Sequence, residues 1–143
     1  MKMKAMDFGD ARTGSAIGDR SAFLAIPIGT VPERNAERLA YKEAQTAAEY
    51  GAGEIIVGLP INMNGTEGPS AEKCRAFAEL LKERTDLPGR MWDERSTTVT
   101  AHNILNETNV RGKARKAVVD TVAATIILEG YLEYRRKKAK QAD

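Results

Sequence analysis

The chain has 143 residues, of which 42% are hydrophobic and 29% charged, and a formal net charge of +2. This is the size of one domain with a core of its own. The balance excludes a disordered chain, and total charge alone makes no case for a polyanion partner. Cys74 is the single cysteine, which excludes an intrachain disulfide and a cysteine-cluster zinc site. No apolar run is long enough to span a bilayer, and the first residues lack the apolar stretch of a signal peptide. A cytoplasmic protein with no membrane partner is the expectation.

Met3-Lys4-Ala5-Met6-Asp7 reads as a short apolar strand that ends in a carboxylate. Gly9 and Gly14 let the chain turn, because glycine carries no Cβ penalty at positive φ. Ser15 to Gly18 returns beside the first strand as a hairpin. A third strand is expected around Ile26 to Thr30, with Pro27 demoting it to a sheet edge. Glu33 to Tyr50 has a narrow apolar helical face of Leu39, Ala40, Ala44, Ala47 and Ala48, and Gly51 and Gly53 stop it.

Glu54 to Pro60 is a continuous apolar run, as expected of a strand buried on both faces in a parallel sheet. A loop from Leu59 to Pro69 carries Asn62, Asn64 and Thr66. Ser70 then caps a helix that runs to about Arg84 with Cys74, Phe77, Ala78 and Leu81 inward. Arg90 to Glu94 is the next strand. Ser96, Thr97 and Thr98 cap a helix through Ala101, Ile104 and Leu105. Asn106 to Lys113 is a polar, basic loop, and a last helix spans about Ala114 to Arg136. The order predicts one α/β domain over 1–137, a mixed sheet of five strands flanked by helices, and a basic tail over 138–143.

Three places put acids where a core prefers apolar groups. Asp7 ends the first strand, and Asp93 and Glu94 end a later one. Asp120 lies at helical spacing from Lys116, Ala117, Ala123, Ala124 and Ile127, largely on the small, apolar face that packs on the sheet. For Asp7 the choice is between a carboxylate that ligates a hard cation and an Asx-type turn. For Asp120 the choice is between the same cation and a buried ion pair with Arg12 or Arg95. Converging carboxylates without a His or Cys cluster select Mg²⁺ or Mn²⁺ over zinc, and such a site suits phosphodiester hydrolysis without a covalent nucleophile. His102 is alone on its helix and reads as a surface or packing residue.

Arg12 and Arg95 stand beside the acidic motifs, where they either grip phosphate bidentately or hold the acids. Asn62 sits in a loop that lines a substrate groove or is plain surface. Lys113 and Arg115 belong to a basic segment with Arg111 and Lys116, and a second basic run covers Arg135 to Lys140; such runs are either nucleic-acid contacts or solvated helix ends. Aromatic residues make up 6% of the chain. No platform for stacking bases is expected, and Trp92 reads as core.

Four segments in order resemble the YqgF/RuvX family: Asp7-Phe8-Gly9-x-x-Arg12-x-Gly14, Gly58-Leu59-Pro60-x-Asn62-Met63-x-Gly65-Thr66, Asp93-Glu94-Arg95-x-Thr97-Thr98, and Val119-Asp120-x-x-Ala123-Ala124-x-Ile127-Leu128-x-x-Tyr131-Leu132. The likeness runs from residue 3 to about 134. It departs from the family in Phe8 where Tyr is frequent, Gly18 where Ser is frequent, and Ser96 where Leu is frequent. The resemblance implies a ribonuclease H-like fold and divalent metal. It also implies catalytic acids at Asp7, the pair Asp93/Glu94 and Asp120, without saying which of the pair ligates. It implies a nuclease that trims the precursor of small-subunit ribosomal RNA, and so a role in ribosome biogenesis with ribosomal particles as partners. The alternative activity is resolution of Holliday junctions, where symmetric cutting needs a homodimer rather than a monomer.

Two other readings compete. Asp-x-Gly beside a hairpin also resembles the phosphate loop of actin-like and sugar kinases, but 143 residues leave no room for their second domain. A non-catalytic RNA-binding module would use the basic segments and be indifferent to Asp7. The Asp-Phe-Gly tripeptide is not a kinase motif here, since no glycine-rich or catalytic loop precedes it.

Overall fold

The structure is a computed structural model that describes residues 1–19, 24–93 and 112–142, with side chains over 1–19, 25–93 and 122–139. The elements in chain order are β1 (Lys2–Asp7), β2 (Thr13–Asp19), β3 (Leu24–Val31), α1 (Ala36–Glu49), β4 (Ala52–Leu59), α2 (Pro69–Arg84), β5 (Gly89–Asp93) and α3 (Gly112–Ala142). The expected cap at Ser96 to Thr98, the helix through Leu105 and most of the Asn106 to Lys113 loop lie outside the described residues.

The sheet order is β3-β2-β1-β4-β5. β1 to β3 are antiparallel neighbours, while β4 and β5 run parallel to β1. The mixed five-stranded sheet is the one anticipated. Pro27 does sit in an edge strand, and the β2–β3 pairing shifts between Ser15 and Ala16, where an extra residue is accommodated.

Helices cover both faces. On one, α1 and α2 bury Met6, Ile17, Leu39, Ala47, Val57, Phe77 and Leu81 together. On the other, α3 lays Ala124, Ile127, Leu128, Tyr131 and Leu132 on Met3, Ala5, Ala16 and Ile56. Successive strand residues point to opposite faces. Lys4 and Met6 therefore belong to the α1/α2 side, and Met3, Ala5 and Asp7 to the α3 side. Among the described residues, no helix is long and apolar enough to cross a membrane.

Three boundaries differ from expectation. α1 begins after Asn35, whose side chain accepts from the Arg38 N–H at 3.0 Å. This cap consumes the residues between Glu33 and Asn35. α2 starts at Pro69 with Gly68 as its cap rather than at Ser70, because proline's fixed φ suits the first helical position. α3 continues to Ala142, so most of the stretch read as a basic tail extends the helix. At 31 residues α3 is about 46 Å long, over twice the length of a six-residue strand such as β1, which spans about 20 Å.

Candidate active site

β1 is held from both sides by neighbouring strands, and its last residue meets a tight connection. A Cβ on Gly9 would stand 2.3 Å from the Arg12 carbonyl oxygen. Glycine is needed there for close approach; the described glycines with positive φ are Gly29, Gly51 and Gly65. Gly14 is not a turn residue either. It lies in β2, paired with Asp7. Next along the chain, Phe8 stacks on Phe77 of α2 with ring centroids 4.7 Å apart. That contact fixes Phe8 on the α1/α2 side and leaves Asp7, half-buried, on the α3 side.

A row of positions crosses the sheet at this level. Gly14 pairs with Asp7, and Gly58 pairs with Trp92. Met6 pairs with Val57 one step earlier, so Gly58 is the neighbour of Asp7. The row reads Gly14, Asp7, Gly58, Trp92, so the strand positions that flank Asp7 in the sheet are both glycines. Trp92 is two strands from Asp7, about 10 Å.

The remaining sequence candidates are distributed as follows. Asp93 pairs with Leu59 at the same end of the sheet. It alternates with Trp92 and shares the parity of Met91, which packs on the α1/α2 side. Asp120 lies in α3, one turn before the buried Ala123 and Ala124; its side chain is outside the described set. Glu94 and Arg95 lie outside the described residues, and Lys113 and Arg115 occupy the first turns of α3 without described side chains. Among the described residues, no three His, Cys, Asp or Glu side chains form a cation cluster. The structure thus puts Asp7 on the face that α3 covers, and it gives Asp93 the opposite parity.

Arg12 is half-buried in the β1–β2 connection. Asn62 shapes its own loop. Its amide donates to Thr66 Oγ1 at 3.0 Å, and its backbone closes a turn with Gly65 and a pair with Thr66. The positive φ of Gly65, +86°, is why that turn takes glycine. Lys73 of α2 bonds Asp10 at 3.1 Å and ties the β1–β2 connection to the helix.

Buried charges that the sequence reading passed over frame this site. Lys4 and Glu43 are fully buried and paired at 2.5 Å; Lys4 also donates to the Glu43 carbonyl at 3.0 Å, and Ser15 Oγ donates to the carboxylate at 3.1 Å. Burial pulls the Lys4 ammonium below its usual range, against the opposing pull of Glu43. On the other face Glu54 accepts from Tyr131 Oη at 2.5 Å and pairs with Arg90 at 3.3 Å. Burial, and then the bond to Glu54, raise the Tyr131 phenol above its usual range. The signal for Glu43 was present in the spacing Leu39, Glu43, Ala47, which places an acid inside an apolar stripe.

Trp92 packs against the α3-side core, as its reading as core expected. It also meets Tyr131 edge-on at 5.7 Å and Tyr134 at 5.5 Å, so three aromatic rings gather where no platform was expected. Tyr131 and Tyr134, three apart on one helix, were the available sign.

A mixed sheet of this order with α3 across the face of the first-strand acid defines a ribonuclease H-like protein. The fold is shared with RuvC of T. thermophilus in complex with a Holliday junction substrate (TM-score 0.62, 10% identity, 96% of each chain covered). It is also shared with the Holliday junction resolvase of fowlpox virus (TM-score 0.56, 15% identity, 94% of this chain and 99% of that one). The chain belongs to the RuvX family, whose model, described as Holliday junction resolvase, matches residues 1–134. Among its relatives are two proteins named "Putative pre-16S rRNA nuclease". The one from Halothermothrix orenii is 43% identical over 141 residues, covering 96% of this chain and 98% of that one. The one from Clostridium novyi is 43% identical over 133 residues, covering 93% and 98%.

Proposed function

We propose that this protein is a metal-dependent nuclease that hydrolyses phosphodiester bonds during maturation of the 5′ end of pre-16S rRNA. The observation that carries the reading is the Asp7 row: a strand-end carboxylate flanked by glycines, on the face covered by α3, the helix whose sequence includes Asp120. Kinship with relatives that bear the rRNA-nuclease name supports the substrate.

The residues fit a hard divalent cation, Mg²⁺ or Mn²⁺. The donors are carboxylates, and the strand positions on either side of Asp7 are glycines, which carry no side chain. We assign Asp7, the acidic pair Asp93/Glu94 and Asp120 as the ligands. When bound, such a cation polarises the phosphate and lowers the pKa of an attacking water. Asp7, held by a strand buried on both faces, keeps its position without reorganising. Arg12 and Arg95 orient the phosphate, Lys113 and Arg115 attract the backbone, and Asn62 shapes the wall of the groove. Water adds to phosphorus as the bridging P–O bond breaks, and the leaving oxygen takes up a proton from solvent.

The family description favours a second substrate, the four-way DNA junction. A cleavage panel separates the two: pre-16S rRNA 5′ ends, single-stranded RNA and a four-way DNA junction, each with Mg²⁺, Mn²⁺ or EDTA. Metal-dependent cleavage of the precursor that Asp7→Asn abolishes is the expected result. Full-rate cleavage by Asp7→Asn overturns the mechanism, and cleavage of the junction alone overturns the substrate.

A further inference from the structure

Beside the acid row, the end of α3 and the edge strand β5 build a second surface. Tyr134 is 43% exposed and tilts against Trp92, whose indole Nε1 backs onto Gly130 at 3.3 Å from where a Cβ would stand. Cations ring the pair. Lys138 Nζ lies 5.6 Å over the Tyr134 ring, Arg135 lies 5.9 Å over Tyr131, and the Arg90 side chain is 55% exposed. Arg90 is partly offset by buried Glu54, and Lys137 by Glu133 at 3.9 Å. Arg135 to Lys138 is nevertheless a run of four like charges on one helix, and like charges three and four apart repel. A cluster that served packing alone would hide its rings and disperse its cations. Lys138 also donates to Tyr134 Oη at 3.4 Å and Arg135 to Tyr131 Oη at 3.2 Å. An exposed ring with cations beside it matches the way single strands are bound, with bases on aromatic faces and phosphates on basic groups.

We propose that Trp92, Tyr134, Arg90, Arg135 and Lys138 seat a single-stranded nucleic-acid segment that leads away from the acid row. Trp92 shares that row and its face, so a strand cut beside Asp7 reaches the rings after about 10 Å, one or two nucleotides. The substrate class is then an unpaired strand next to the scissile bond. The inference rests on the nuclease reading for its biological sense and on the rings and charges for its chemistry.

Trp92 is the single tryptophan of the chain, so its fluorescence reports this surface alone. The test titrates the Asp7→Asn protein, in EDTA and low salt, with a twelve-nucleotide uridine RNA. Tryptophan emission is followed together with the anisotropy of a labelled strand. Saturable quenching is expected, weakened about tenfold by Tyr134→Ala and retained in Tyr134→Phe, which keeps the ring. No quenching, equal binding by Tyr134→Ala, or equal loss in Tyr134→Phe overturns the proposal. So does a blunt duplex or polyglutamate that binds as tightly and with the same dependence on Tyr134. Cleavage plays no part in the readout, so failure here leaves the nuclease reading standing, and failure of the cleavage panel leaves this binding intact.

Discussion

Lys4 and Asp7 lie three residues apart on β1, and the two faces of the sheet treat them differently. Lys4, on the α1/α2 side, is sealed against Glu43 with no exposed surface. Asp7, on the α3 side, stands at the strand end between two glycines. The first charge is spent inside the protein, where each partner answers the other's desolvation. The second lies half-buried at the end of the strand, and the proposed nuclease reading gives it the chemistry. On that reading one strand carries one charge for folding and one for catalysis, and substitutions at the two should affect different measurements.

The largest effect is expected at the chemical end. Asp7→Asn should lower cleavage at least about a hundredfold, since cation stabilisation of the reacting phosphate is worth several kcal/mol and each 1.36 kcal/mol is tenfold. Its melting temperature should stay near that of the parent. A melt lowered as far as the activity would erase the contrast between the two charges.

Next comes the buried pair. Lys4→Met strands the Glu43 carboxylate and should cost about 3–5 kcal/mol in urea unfolding. The double substitution Lys4→Met/Glu43→Leu should recover most of that loss. If the double variant is no better than the single, the pair is not the source of the cost.

Gly9→Ala sharpens the boundary between the two regions. The 2.3 Å approach to a backbone oxygen cannot be relieved by rotating a side chain, so about 1–3 kcal/mol of stability should be lost. Cleavage should fall too, because the connection sets the end of β1. Tyr131→Phe acts on the α3 side and leaves Glu54 without its short bond, at about 1–3 kcal/mol. It also has a pH signature. The folded state holds the Tyr131 proton more tightly than the unfolded chain, so this contribution is complete below pH 10 and fades as pH rises through the raised folded value. Melts taken from pH 9 upward should fall more steeply for the parent than for Tyr131→Phe.

The smallest effect is expected at Arg75, whose bonds to Glu67 at 2.6 and 2.8 Å lie at the surface. Arg75→Ala should shift the urea midpoint least of these variants, since solvent screens an exposed pair, and it sets the scale against which the buried pair is read.

Much of this arrangement was legible in the residues. The hairpin, the edge position of the Pro27 strand, the two-face burial of β4 and the stripe of α3 follow from periodicity and turn chemistry. So does the placement of Asp7 at a strand end. The Lys4–Glu43 contact was not legible, because it joins residues 39 apart and nothing local in Met3-Lys4-Ala5 says what faces the lysine. The parity of Asp93 was hidden for a related reason: it depends on which side of β5 the helices pack, and that follows from Met91 and Trp92 only once α2 and α3 are in place. The core packing of Trp92 was legible from its strand; its ring contacts were not, because the tyrosines that meet it lie some 40 residues away on α3.

The sealed lysine has a consequence for fidelity of assembly. Side chains alternate along β1, so sliding the strand by a single residue turns every group to the wrong side. Lys4 would be pushed among the alanines and leucines under α3, Glu43 would lose its counter-charge, and Asp7 would point into the α1/α2 core. Misalignment is penalised by a stranded cation and a stranded anion at once. The pair thus acts as a key that admits β1 in only one alignment, the one in which its final carboxylate faces α3.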